Sequence, residues 1–213
     1  MICNVISTGS KGNAVTLDGF ILLDCGVPYK LIEPYARRLR LVLLTHIHGD
    51  HFNPATIRRL HKERPTLRFG CCEWLVRPLL DAGISAKCID VYTPDMVYSY
   101  GISTNISPFY LAHDVENCGY RIEYANEEKA IYATDTGTLD GIIAKGYDLY
   151  MIEANHTEAE LAERIQRKTE AGEFVYEYRA AAGHLSKEKA DAWLAENATP
   201  GKSRVVYLHK HED

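Results

Sequence analysis

The sequence predicts a mixed α/β domain, and three observations carry that prediction. Short apolar runs punctuated by turn residues open the chain. Amphipathic segments with helix-start signals are spread among them. One run, "LRLVLLT" at 39–45, is almost unbroken in apolar residues, as expected of a strand buried on both faces. Strands first, helices interspersed and two sheet-and-helix halves exclude a simple parallel βαβ repeat.

Taken in order, "MICNVIS" reads as a strand and "TGSKGNA" as a glycine-punctuated turn, followed by strands in "VTLDG" and "FILLDCG". Asp18-Gly19 between two apolar runs is a hairpin signal. After "LRLVLLT" comes a loop, then a helix in "NPATIRRLHKE", with Asn53 as cap and Pro54 at its first position. "EWLVRPLLDAG" predicts a second helix, interrupted by Pro78 and ended by Gly83. Strands are expected in "KCIDVY", "GISTNISPFYL", "CGYRIEY", "KAIYATD" and "DLYMIEA". "TEAELAERIQRKTEAG" places Leu161 and Ile165 four apart among charges, a surface helix. "SKEKADAWLAENA" is a further helix capped by Ser186, and "RVVYLH" is a closing strand.

Composition narrows the class. With 213 residues, no repeat and no linker, one domain over 1–213 with a substantial core is expected. The N-terminus lacks a basic stretch followed by an apolar run, and nothing approaches the roughly 18–20 apolar residues that span a bilayer. Neither secretion nor a membrane partner is therefore expected. The six cysteines (Cys3, Cys25, Cys71, Cys72, Cys88, Cys118) form no C-x-x-C pair, which fits reduced thiols in a cytoplasm. A net charge of −5 argues against gripping nucleic acid over the whole surface. The charge is uneven: Lys30 to Arg68 is locally basic, residues 114–173 acidic. A solvated face and a phosphate contact both explain the basic stretch.

The chemistry concentrates in "THIHGDH". Packing accounts poorly for three histidines and an aspartate in six positions, because each buried imidazole needs partners for its ring nitrogens. His46 and His48, two apart just past a strand, can grip one ion; Gly49 then permits a turn that aims Asp50 and His51 towards a second. Two ions need further ligands. His113 after "SPFYLA", Asp135 at the end of "KAIYATD" and His209 after "RVVYL" each stand where a strand gives way to a loop. His211 competes with His209, which is preferred because it directly follows the apolar strand.

H-x-H-x-D-H, a later His, an Asp in "TDTG" and a C-terminal His resemble the metallo-β-lactamase fold superfamily. The finer resemblance is to its nuclease and phosphodiesterase branch, and there to YycJ-like exonucleases. It rests on "STGSKGN", "LLDCG", "LTHIHGDH", "AHDVENCGYRI", "YATDTG", "IEANH", "GHLSKEKA" and "YLHKH". The resemblance implies a four-layer αββα sandwich with a dinuclear site at one edge. It implies His46, His48 and His113 on one metal, Asp50, His51 and His209 on the other, and Asp135 bridging. Imidazole and carboxylate without thiolate suit zinc and tolerate manganese. It further implies a metal-bridging hydroxide as nucleophile, oriented by Asp50, acting on a phosphodiester. His184 would protonate the leaving oxygen or touch the scissile phosphate, with Glu153 orienting it. The competing reading of His184 is a structural bond beside a helix cap. Ser10 and Asn13 are expected to lend polar contacts to the phosphate; an ordinary glycine turn is the alternative. No inserted domain like that of RNase J-like enzymes and no long arm like that of tRNA-maturation enzymes is evident. A compact domain without these additions could act on DNA ends, small phosphodiesters or something else; the resemblance implies a DNA 5′-to-3′ exonuclease. Small-molecule phosphodiester cleavage is one alternative; thioester, lactone or β-lactam hydrolysis on the same fold, or a non-catalytic metal module, are others.

Overall fold

The computed structural model describes residues 1–101, 103–175 and 177–209, with only the backbone of 179–181. The first sheet runs in chain order: β1 (Cys3–Ser7), β2 (Ala14–Leu17), β3 (Ile21–Leu23), β4 (Leu41–Leu43), β5 (Arg68–Cys72) and β6 (Ile89–Tyr92). The second contains β7 (Tyr98–Tyr100), β8 (Thr104–Leu111), β9 (Asn117–Tyr124), β10 (Lys129–Ala133), β11 (Leu149–Glu153) and β12 (Arg204–Leu208), again with sequence neighbours paired.

Why these sheets stack is visible in strand alternation. In β4, Leu41 and Leu43 point into an inter-sheet core with Tyr120, Tyr132 and Met151 of the second sheet. Val42 and Leu44 point the other way, into a core with Ile32, Ile57, Leu60 and Leu79. Those last residues come from helices α1 (Tyr29–Ala36), α2 (Pro54–Glu63) and α3 (Val76–Asp81). The second sheet covers its outer face with α6 (Lys187–Asn197), through Ala190 and Leu194. Helices α4 (Glu158–Glu170) and α5 (Glu177–Gly183) precede it. Four layers result, helix–sheet–sheet–helix, and the expectation that β4 is buried on both faces holds.

Local signals explain most element ends. Asn53 accepts the Thr56 amide at 3.1 Å and caps α2, with Pro54 next in line. Thr157 and Glu160 form a reciprocal capping box on α4, and Ser186 caps α6 by accepting from Lys189 N at 3.2 Å. Asp18 and Gly19 both adopt positive φ (50° and 72°) and turn β2 into antiparallel β3. Differences from expectation also have reasons. The helix in 73–83 breaks at Leu75 rather than at Pro78, because a 3₁₀ turn (Glu73–Leu75) hands over to α3, leaving proline in a first turn that needs no amide donor. "KCIDVY" splits into a 3₁₀ turn (Ala86–Cys88) and β6. Strand β5 and helix α1 are not among the expected elements: β5 holds an arginine, a glycine and two cysteines, and Pro34 stands inside the short α1, although its buried Tyr29, Ile32 and Ala36 keep a helical spacing.

Strand direction brings the loops to one edge. Strands β3 to β6 are parallel, and β2 runs against β3, so the end of β3, the end of β4 and the start of β2 lie together. In the second sheet β10, β11 and β12 are parallel, and β8 joins their direction through antiparallel β9. Every functional segment singled out above therefore emerges at this edge. Three arginines of the basic stretch hold the fold together: Arg64 donates to the carbonyls of Ala36 and Leu39, Arg58 to that of Ala82, and Arg68 pairs with Asp90. The six cysteines are free and all but Cys3 are buried. Among the described residues no helix is long and apolar enough to cross a membrane.

Candidate metal centre

The histidine loop is strapped into place by backbone bonds. Asn13 N and Cys25 N donate to the carbonyls of Asp50 (2.6 Å) and His51 (2.9 Å), and Asn53 N returns to Cys25 O (2.9 Å). The fit is so close at Gly26 that a Cβ there would stand 1.7 Å from Asp50 O, which explains the glycine of "LLDCG". Two ligand candidates on the facing sheet sit in left-handed backbone, Asp135 (φ 55°) and His209 (φ 52°). Asn117 Nδ2 secures the first by donating to Asp135 O at 2.7 Å. The second is held through Thr8 Oγ1, which accepts His209 N–H, and Asn155 Nδ2, which donates to His209 O at 3.1 Å.

Donor atoms converge in overlapping groups: His46, His48 and His113; His46, His51 and Asp135; Asp50, His51 and His209; and Asp135, Glu153, His184 and His209. Within each, the candidate ligand atoms lie within 4.8 Å of one another. His113 Nε2 stands 3.3 Å from His48 Nδ1; Asp135 Oδ2 is 2.9 Å from both His51 Nε2 and His209 Nδ1. Asp135 shares one donor group with His46 and His51 and another with Glu153, His184 and His209. His209 stands in two of these groups, and His211 lies outside the described residues.

The electrostatics suit cations. Burial, followed by the neighbouring His51, pushes the His46 pKa down to about 2, so that ring is neutral. Its Nδ1 engages Thr45 Oγ1 at 2.9 Å, while buried Nε2 has no hydrogen-bond partner among the described residues. A neutral imidazole with an unpartnered nitrogen in a cluster of ligands is what a metal requires. Burial also lowers His113. For His51 burial opposes protonation, but Asp135 and Asp24 outweigh it and hold the pKa well above the usual value. Asp135 is the mirror image: burial opposes its charge, yet His51 and His209 hold it well below the usual carboxylate range. Such a field of carboxylates calls for positive charge at its centre.

Asp24 is the residue that sequence reasoning missed. Fully buried, it accepts from His51 Nδ1 (2.7 Å), Tyr132 OH (2.8 Å), Thr45 N and Thr45 Oγ1 (both 3.0 Å). Through His51 directly and His46 by way of Thr45, it turns the other ring nitrogens towards the ligand cluster. The signal was present: an acidic residue ending an apolar strand, the pattern that singled out Asp135. Replacing Asp24 by alanine is expected to weaken metal binding 10- to 100-fold. It should also destabilise the fold by about 3 kcal/mol, since several buried donors lose their acceptor. Metal-competition titration and thermal melting check the two effects; unchanged affinity would dismiss the orienting role.

Other expected residues behave differently from one another. His184 Nδ1 lies 2.6 Å from Glu153 Oε1, and Glu153, wholly buried, also accepts the Thr136 amide at 2.9 Å. Burial works against a charge on His184, but Glu153 raises its pKa on balance. Ser10 is exposed on its turn. Asn13 departs from its expected part: it is 2% exposed, accepts Gly9 N at 2.9 Å and turns its amide to His51 Nε2 at 2.7 Å. It braces the turn and the ligand loop rather than offering a surface contact.

Sequence comparison with the β-lactamase superfamily domain gives a match over residues 21–210. The chain belongs to this family. Among solved structures, the short form of human tRNase Z superposes on this β-lactamase superfamily domain with a TM-score of 0.72 at 17% identity, covering 100% of this chain and 93% of that one. YhfI, a metallo-β-lactamase fold protein from Bacillus subtilis, gives 0.70 at 19%, with 99% and 86% covered. Zn(2+)-bound PqqB from Methylobacterium extorquens gives 0.67 at 14%, with 99% and 89%. Curated proteins, compared by sequence, yield no significant match. The family and the His/Asp donor set together make this domain a metal-dependent hydrolase of the metallo-β-lactamase fold.

Proposed function

We propose that the domain is a dinuclear phosphodiesterase acting on DNA from its 5′ end, in the manner of YycJ-like exonucleases. The observation that carries the reading is the pair His184–Glu153. A carboxylate-backed imidazole stands at the ligand cluster, its Nδ1 2.6 Å from Glu153 Oε1 and 3.6 Å from Asp135 Oδ1, an arrangement suited to a general acid. Acyl hydrolysis on this fold has no evident use for it. Human tRNase Z, whose fold this chain shares, bears a name that also speaks for a nucleic-acid substrate.

His46, His48 and His113 would hold one divalent ion and Asp50, His51 and His209 the other, with Asp135 shared. When bound, zinc or manganese supplies an acidified water and positive charge for the phosphate oxygens. The protein's own groups then do the rest. Asp50 orients the attacking water and accepts its proton as the new P–O bond forms. His184, held through Nδ1 by Glu153, delivers a proton from Nε2 to the departing oxygen as the old bond breaks. Asp24 keeps the imidazoles of the ligand loop in register throughout.

The test is digestion of a 5′-phosphorylated DNA duplex with added manganese, wild type beside Asp50→Ala. Stepwise release of mononucleotides by wild type, and not by the variant, is the expected result. An intact duplex in both would exclude the DNA assignment and direct the search to small phosphodiesters, then to acyl substrates.

A further inference from the structure

At the same edge as the metal centre, two aromatic rings meet across the gap between the sheets. Trp74 follows β5 of the first sheet; Tyr110 lies near the end of β8 in the second. Their rings stack with centroids 5.9 Å apart and planes inclined by 29°. Trp74 is half-buried and anchored: its indole N–H donates to Thr45 O at 3.1 Å, one residue before His46. Cys118, the register partner of Tyr110, brings its thiol within 3.7 Å of the same carbonyl. Tyr110 is 61% exposed and stands three residues before His113. Ile47, between His46 and His48, is 42% exposed. Each apolar group is thus tied by a short stretch of backbone to the ligands His46, His48 and His113.

An exposed tyrosine backed by an anchored indole presents one fixed aromatic face to solvent. A single aromatic face of this kind takes one planar group, whereas a protein interface draws about 800 Å² from each partner. A nucleobase is such a group and stacks on aromatic rings whatever its identity.

We propose that the Trp74–Tyr110 pair seats a base of the substrate on the His46–His48–His113 side of the centre. The inference rests on the phosphodiesterase reading and deepens it. The scissile phosphate sits at the metals, and the neighbouring base lies against Tyr110, with Trp74 fixing the tyrosine from behind. Because stacking is sequence-tolerant, this site selects for a nucleoside over a plain sugar or alkyl group without selecting among bases.

Calorimetric titration of the manganese-loaded protein with 2′-deoxyadenosine 5′-monophosphate and with deoxyribose 5-phosphate measures the base's contribution. Wild type is expected to bind the nucleotide roughly tenfold or more tightly than the sugar phosphate, the low end of what one stacked base contributes. Tyr110→Ala should erase that preference, and Tyr110→Phe, which keeps the ring, should retain it. Equal affinity for the two probes, or a preference that survives Tyr110→Ala, would overturn the inference. Cleavage of DNA ends with a natural or an abasic terminal nucleotide separates the two levels of the argument. A base preference in cleavage that ignores Tyr110 removes this site and leaves the phosphodiesterase. Base-dependent binding without cleavage of any diester removes the phosphodiesterase and leaves a nucleotide site.

Discussion

Purified Asp135→Ala protein is expected to carry at most one metal ion per chain, where wild type carries close to two, and to lose at least about 10³-fold in hydrolytic rate. Asp135 is the carboxylate proposed as the shared ligand; its Oδ2 lies 2.9 Å from His51 Nε2 and from His209 Nδ1, and it also shares a donor group with His46. Removing it leaves two imidazole groups without the negative charge that holds them at one point. It also places alanine in left-handed backbone, which aspartate and asparagine tolerate better. Asp135→Asn is therefore the sharper probe: it suits the left-handed backbone and keeps one oxygen to accept from Thr134, while it removes the charge and turns the other oxygen into an NH2 donor. Elemental analysis and turnover on the same preparations decide the matter. Two ions retained by both variants would refute a shared ligand at this position.

His184→Ala should retain its metals yet lose about 10²- to 10⁴-fold in turnover on DNA, the usual contribution of a general acid. The loss should depend on the leaving group. A DNA alkoxide must be protonated as it departs, whereas p-nitrophenolate leaves unaided, so thymidine 5′-(p-nitrophenyl phosphate) should be cleaved with a far smaller penalty. A structural role for His184 would slow both substrates alike. Glu153→Gln should show the same bias in weaker form, because an amide whose oxygen still serves the Thr136 N–H turns its NH2 to His184 Nδ1 and no longer backs the imidazole with a carboxylate. Turnover of DNA by His184→Ala within a few-fold of wild type would end the general-acid assignment.

Particular residues show why the sequence was readable where it was. "THIHGDH" was conspicuous because ligand-type residues are packed more densely than a protein core can satisfy. His113, Asp135 and His209 were legible by a weaker rule, a polar residue at the end of an apolar strand. The same rule applied to Asp24, yet one isolated acid among many carries no weight until its four hydrogen-bonding contacts are seen. Asn13 illustrates the opposite failure. Its place in a glycine turn suggested a surface contact, but the packing of β2 against the ligand loop buries it. Nothing local could have paired Trp74 with Tyr110, since they lie 36 positions apart on different sheets.

By itself, then, the sequence determined the alternation of strands and helices, the buried character of β4, the caps on α2 and α6, and the residue types of a His/Asp metal centre. Those properties depend on neighbours a few positions away, through side-chain periodicity, capping bonds and turn geometry. Tertiary structure alone decided which ends of which strands meet. Parallel β3–β6 and parallel β10–β12, stacked through the inter-sheet core, carry Asp24, the histidine loop, Asp135, Glu153 and His209 to one edge. The physical reason is one of range. A hydrogen bond or a metal ligand acts over a few ångströms, and only the packing of two sheets brings residues up to two hundred positions apart within that distance, as it does for Thr8 and His209.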